Sequence, residues 1–179
     1  VDMNRFYPEY SDANKCVYLK KLDKNYNGEY TVLTVCRLVE EKNVAELIKA
    51  IKLLSFPCKL YVVGDGPQRE KLETLAYELG VAVIFFGARK DVEIFYRVVD
   101  CFVLASFYEG FGHVYLEALS SGCPVIGVSN NPPETITASD EIIKKNEVGE
   151  IALSPKANDL SESITNVRSN ARDSTSKIC

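Results

Sequence analysis

No apolar run in the 179-residue chain approaches the ~18 residues that a membrane span requires. The first residues also lack the basic-then-apolar order of a signal peptide. The chain therefore reads as soluble, without a spanning helix. It has no block of Lys or Arg. Twenty-five acidic residues outnumber 21 basic ones, for a net charge of −4, so nothing in bulk draws it toward nucleic acid or an anionic membrane. Any phosphate contact must be local. Histidine occurs once, at His113, and with no second histidine a metal site has no support. There is no C-x-x-C pair among the six cysteines, which removes the zinc and thioredoxin-like readings. Cys36, Cys101 and Cys123 instead occupy apolar, strand-like positions, as reduced core thiols of a cytosolic protein do. No G-x-x-x-x-G-K-[ST] loop is present, so P-loop nucleotide hydrolysis has no support, and no internal repeat is visible.

What the chain does have is the composition of a packed domain, 46% hydrophobic and 26% charged. From residue 30 onward, β-branched or aromatic runs alternate with segments of helical period, the pattern of a parallel sheet with crossover helices. Strands are expected at 30–36, 59–63, 81–86, 101–105, 124–128 and, more weakly, 149–153. Val44, Leu47, Ile48, Ile51 and Leu54 mark one helical face, and Leu72, Leu75, Ala76 and Leu79 mark another. Shorter helices are expected at 91–98, 112–121 and 158–167. Asn43 followed by Glu46 has the form of a capping box, and Pro67 suits a first helical position. Gly80 and Gly122 suit the left-handed residue beyond a helix end. Residues 1–29 show weaker order, with a polar surface loop at 20–28, and 168–179 reads as a frayed tail. The expected fold is α/β, a Rossmann-like parallel sheet flanked by helices, in residues 30–167.

In such folds ligands bind beyond the carboxyl ends of the strands, which confines the search to a few loops. The most informative is E-G-F-G-H-V-Y-L-E at 109–117. Glycines at 110 and 112 let the backbone approach a ligand, and the helix start beyond them offers free amides suited to a pyrophosphate. Eight residues of helix would separate Glu109 from Glu117 by about 12 Å, beyond the roughly 5–9.5 Å of a glycoside hydrolase pair. Two separate hydroxyl acceptors along an extended polyol fit better, although spacing alone suits two solvated carboxylates as well. Arg37 and Lys42 flank the loop after the first strand and could neutralise a diphosphate at the same edge. Gly64-Asp65-Gly66-Pro67 also follows a strand, but Arg69 stands where a dinucleotide fingerprint has its third glycine. His113 lacks triad partners and fits a sugar contact or packing better than a general base.

Taken in order, V-C-R-L-V-E-E-K-N at 35–43, L-Y-V-V-G-D-G-P at 60–67, V-I-F-F-G at 83–87, the run from Asp100 to Ile126 and P-E-T-I at 133–136 form a specific series. The series resembles the donor-binding, C-terminal half of a retaining nucleotide-sugar glycosyltransferase of family 4, of the two-Rossmann-domain class called GT-B, over residues 1–167. The opening V-D-M-N-R-F-Y-P resembles the linker that leaves the first domain of such enzymes, so 1–29 is expected to be interdomain linker and lead-in. The resemblance implies that Arg37 and Lys42 contact the donor diphosphate, Glu109 the transferred sugar and Glu117 the ribose hydroxyls. Glu109 should then matter for the intact sugar nucleotide and not for the bare diphosphate. Amides of Phe111, Gly112 and His113 would meet sugar and phosphate, Gly64 and Gly66 would border the nucleoside, and Gly87 to Arg89 would lie near the base. No cofactor or divalent metal is implied, because the basic pair and the helix dipole supply the positive charge.

The implied partners are a nucleotide sugar donor and an acceptor domain missing from this chain, with no nucleic acid. Peripheral membrane contact, where there is any, would come through the missing half at the cytoplasmic face. Three positions depart from the family pattern: Cys36 and Asn43 stand where glycines are usual, and Asn130-Asn131 replaces a common Gly-Gly. Two other classes stay open, a non-catalytic nucleotide- or partner-binding α/β module and a sugar phosphorylase on the same architecture.

Overall fold

The computed structural model describes residues 1–8, 12–143 and 148–176. Its centre is a six-stranded, wholly parallel sheet of β1 (Tyr30–Val35), β2 (Cys58–Val63), β3 (Val83–Gly87), β4 (Cys101–Val103), β6 (Val125–Val128) and β8 (Gly149–Ala152). The strand order is β3-β2-β1-β4-β6-β8. β5 (Tyr108–Glu109) and β7 (Ile136–Thr137) form a separate two-stranded parallel ribbon. The α-helices are α1 (Asp12–Leu22), α2 (Val44–Leu53), α3 (Arg69–Leu79), α4 (Val92–Val98), α5 (His113–Ser120), α6 (Ser139–Ile142) and α7 (Ala157–Ser176), with a 3-10 turn at Glu40–Lys42.

The sheet is apolar on both faces, as parallel sheets are. Val32, Leu60, Val62, Val103 and Ile126 point to one face and pack with Leu47, Ile48 and Leu72 of α2 and α3 and Leu160 and Ile164 of α7. Leu33, Tyr61, Val63, Phe102 and Leu104 point to the other and meet Leu19 of α1, Phe95 of α4 and Tyr115 of α5. On that second face Phe86, Phe95, Tyr61 and, further along, Tyr96, Phe102 and Tyr115 stack edge to face, an arrangement favoured by the ring quadrupoles. The weak strand signal at 149–153 is the edge strand β8. All six strands expected from the sequence are present.

Four local expectations are corrected. Asn43 and Glu46 make no capping box: no side chain caps the start of α2, and Glu46 accepts the Ala157 N–H at 2.9 Å and Lys49 Nζ at 2.7 Å. Pro67 precedes its helix, which begins at Arg69. The weaker order read into residues 1–29 contains α1, whose Leu19 is buried with Phe6 of the opening segment. At the other end α7 runs past Val167 to Ser176, and Arg168 lies over the Phe56 ring at 3.8 Å and near Tyr30; residues 177–179 lie outside the described ones. Cys101 and Cys123 are buried, Cys36 and Cys58 half-buried and Cys16 exposed, all free thiols. Burial pushes the Cys36 thiol up to about 11 and Cys58 up to about 12, so both stay protonated near neutrality. No helix among the described residues is long and apolar enough to cross a membrane.

Candidate functional site

The neighbouring strands β1 and β4 are followed by helices on opposite faces of the sheet, and their loops leave side by side at the carboxyl edge. Phe107 N donates to Glu41 O at 2.9 Å and fastens the two loops together. The ion pair of Lys42 Nζ with Glu109 Oε2, 2.6 Å apart, does the same through side chains. Both side chains are mostly covered, at 22% and 17% exposure. Lys42 Nζ also lies 3.5 Å from Tyr108 O. Arg37 emerges from the same loop as Lys42, exposed to solvent and without an ion-pair partner among the described residues.

The β1 loop is held in place by glycine. Leu38 N donates to Asp65 O at 2.9 Å and Gln68 N to Leu38 O at 3.0 Å, so the Gly64-Asp65-Gly66 loop lies directly on residues 36–38. A Cβ at Gly64 would stand 1.8 Å from Cys36 O, and one at Gly66 would stand 2.4 Å from Leu38 O. These glycines therefore have a packing role, bracing the loop that carries Arg37, whatever they also border. Gly87 O accepts the Gly64 N–H at 2.8 Å and extends the brace to β3. Arg89 is held by Asp91 through Nε at 2.8 Å and Nη2 at 2.6 Å, and that pairing raises the Arg89 guanidinium and lowers the Asp91 carboxyl.

Asn43 accounts for one departure from the family pattern. Its φ of 53° is left-handed, a region that favours glycine and that asparagine tolerates. Its buried amide nitrogen donates to Ala105 O at 3.2 Å and Pro155 O at 2.9 Å, joining the ends of β4 and β8 to the start of α2. Periodicity could not have found this tie; the basic-residue-then-asparagine step was its only signal, and it reads as readily as a cap.

On the other side of the crevice, Gly112 precedes α5 at φ 62° with no side-chain cap. The first-turn amides of α5 thus stand at the carboxyl edge, the positive end of the helix dipole. The rings of Phe111 and His113, both exposed, lie 4.9 Å apart at the rim. Glu117, one turn along α5 from His113, is half-buried and accepts the Tyr96 hydroxyl at 3.3 Å. Burial first, and then the Glu117 carboxylate, push the Tyr96 phenol far up, so it remains a donor. Tyr96 was not singled out from sequence; its place on the buried face of α4 was the available signal. The opening segment docks beside it, with Arg5 bound to Glu93 at 2.6 Å and Arg97 Nη2 donating to Arg5 O at 2.5 Å.

The arrangement thus brings Lys42 into contact with Glu109, sets Arg37 in the same loop, and places the α5 start and Glu117 on the adjoining element. Such a set can neutralise an anion at one end and accept hydroxyl protons at the other. A separate groove of about 1260 Å³ runs between α2, α3 and the start of α7, bordered by Asn43, Leu75, Phe107, Glu134 and Pro155. None of the four charged residues lines it, so it is not the crevice described.

The sequence profile of the family described as "Glycosyl transferases group 1" matches residues 19–177. The chain is 37% identical over 105 residues to the lipopolysaccharide core biosynthesis glycosyltransferase LpsE of Rhizobium meliloti (strain 1021), over 58% of this chain and 31% of that protein. It is 34% identical over 153 residues to the GDP-mannose-dependent alpha-(1-6)-phosphatidylinositol monomannoside mannosyltransferase of Mycobacterium tuberculosis (strain CDC 1551 / Oshkosh), over 76% of this chain and 38% of that one. The chain spans about a third of the length of these curated relatives. Among solved structures, the C-terminal domain of the glycosyl transferase group 1 family protein LpcC from Francisella tularensis is similar, with a TM-score of 0.78 and 26% identity over 96% of this chain and 89% of that one.

Proposed function

Since the chain belongs to the glycosyl transferases group 1 family and has the fold of the C-terminal half of a GT-B enzyme, we propose that it binds the nucleotide diphosphate sugar donor of a retaining glycosyltransferase. The observation that carries this reading is the meeting of Lys42 with Glu109 at the carboxyl edge, with Arg37 in the same loop and the α5 start beside it. A module released from catalysis would have no reason to keep Arg37, Lys42, Glu109 and Glu117 together.

In the proposed reaction Arg37, Lys42 and the α5 amides hold the diphosphate and stabilise its charge as the bond from the anomeric carbon to the phosphate oxygen breaks. Glu117 accepts the ribose hydroxyls, and Glu109 accepts a hydroxyl of the transferred sugar. The acceptor oxygen attacks from the face the diphosphate leaves, which retains configuration, and its proton passes to the departing phosphate oxygen. Local cations take the place of a divalent metal. The relatives' names, which speak of lipopolysaccharide core and a phosphatidylinositol monomannoside, support a glycan or glycolipid acceptor. The acceptor groove is assigned to a further domain, so the 179 residues alone bind donor without transferring it.

Calorimetry with UDP, GDP and ADP, with and without EDTA, tests the reading. One of these nucleotides binds selectively and indifferently to chelator, and Arg37→Ala lowers its affinity by about 10–150-fold, the worth of one charge-assisted contact. Absence of binding, strict dependence on a divalent ion, or an Arg37→Ala variant with unchanged affinity would overturn it.

A further inference from the structure

Arg37 and Lys42 leave the same loop but are not electrostatically equivalent. Arg37 is exposed and has no ion-pair partner among the described residues, whereas Lys42 is already neutralised by Glu109 at 2.6 Å in a mostly covered pair. An anion arriving at Lys42 must therefore contend with a carboxylate that holds the same ammonium. Whether it can do so depends on what else the ligand offers Glu109.

Resting on the donor-binding reading above, we propose that Glu109 is an internal competitor for Lys42, one that favours the intact sugar nucleotide and expels the spent nucleoside diphosphate. With sugar attached, a sugar hydroxyl donates to Glu109, and the carboxylate gives up Lys42 to the diphosphate. After transfer the sugar is gone. Glu109 loses its hydroxyl donor and takes Lys42 back, leaving the diphosphate with Arg37 and the α5 amides. The covered surroundings of the pair strengthen the competition, since water screens a half-buried carboxylate less than an exposed one. Glu109 thus acts on the bare diphosphate as well as on the sugar, which differs from the role its resemblance implies.

The test is a double-mutant cycle read by calorimetry with UDP and GDP on the 179-residue chain. Glu109→Gln keeps the shape and removes the charge, and Glu109→Ala serves as a second variant should the amide hold Lys42 in turn. Either should bind the nucleoside diphosphate about 3–10-fold more tightly than the parent, in the range of an ion pair of this exposure, and should not gain affinity for UDP-glucose or GDP-mannose. Lys42→Met should bind the diphosphate no more tightly than the parent, and in its background Glu109→Gln should gain clearly less than it does with Lys42 present. Nucleotide binding that Glu109→Gln and Glu109→Ala leave unchanged or weakened would overturn this inference while leaving the donor-binding reading in place. An equal gain with and without Lys42 would also overturn it, since it would show simple repulsion of the anion. No nucleotide binding by any variant would overturn both.

Discussion

At Gly112 a single added side chain would disturb the start of α5 directly. At φ 62° it occupies a left-handed conformation, and a Cβ there would stand 2.6 Å from Cδ2 of the buried Tyr115 and 3.4 Å from Cγ of Glu109. Gly112→Ala should cost about 1–3 kcal/mol in urea unfolding from the backbone alone. It should also weaken nucleoside diphosphate binding, because the Tyr115 ring cannot yield without moving the α5 start. Unchanged stability and binding would mean that the turn relaxes freely. Gly112 was legible in the sequence, since a glycine between a strand and a helical run has few other uses. Asn43 was not: a left-handed asparagine with two buried carbonyl partners and a helix-capping asparagine look the same until the chain is folded.

Among the elements, α1 shows how charge misleads a sequence reading. The polar stretch at 20–28 suggests a solvated loop, yet Lys59 of β2 reaches it, with Nζ 2.6 Å from Asp23 Oδ2 and the side chains only 10% and 4% exposed. Tyr61 OH adds a bond to the same oxygen at 3.3 Å. Burial alone would raise the Asp23 carboxyl, but Lys59, the Asn25 N–H and Tyr61 together hold it below the ordinary value. The end of α1 is therefore fastened to the sheet by a covered ion pair. Lys59→Met strands the Asp23 carboxylate and should destabilise the chain by about 3–5 kcal/mol, and adding Asp23→Leu should recover much of that loss. A Lys59→Met variant with parental stability would show that the pair is solvated. The core helices α2 and α3 were legible because their apolar residues repeat with helical period. α1 has no such stripe, with Leu19 buried but Cys16 and Val17 exposed, and the ribbon β5–β7 is too short to leave any period.

At the scale of the whole molecule, the parallel sheet could be read from the alternation of elements, and the loops bearing charge from their place after each strand. That Lys42 and Glu109 touch could not, since they lie 67 residues apart and meet only through the order in which strands are laid side by side. β1 is in register with β2 along its whole length, from Tyr30 to Val35, but with β4 only at Val32 and Leu33. The crevice stands above this short seam, which gives its assembly an order in time. The β1–β2 pairing closes a short stretch of chain through α2, whereas the seam with β4 must close a much longer one before any of its contacts form. During refolding, helical ellipticity should return first, and capture of a fluorescent nucleoside diphosphate analogue should follow as a slower phase in stopped flow. Coincident phases would mean that the seam closes with the rest of the sheet. If the order holds, a chain stalled on its way to the native state already has its helices and most of its sheet but cannot yet grip a ligand, so an abundant ligand speeds no early step and acts only by trapping the last one.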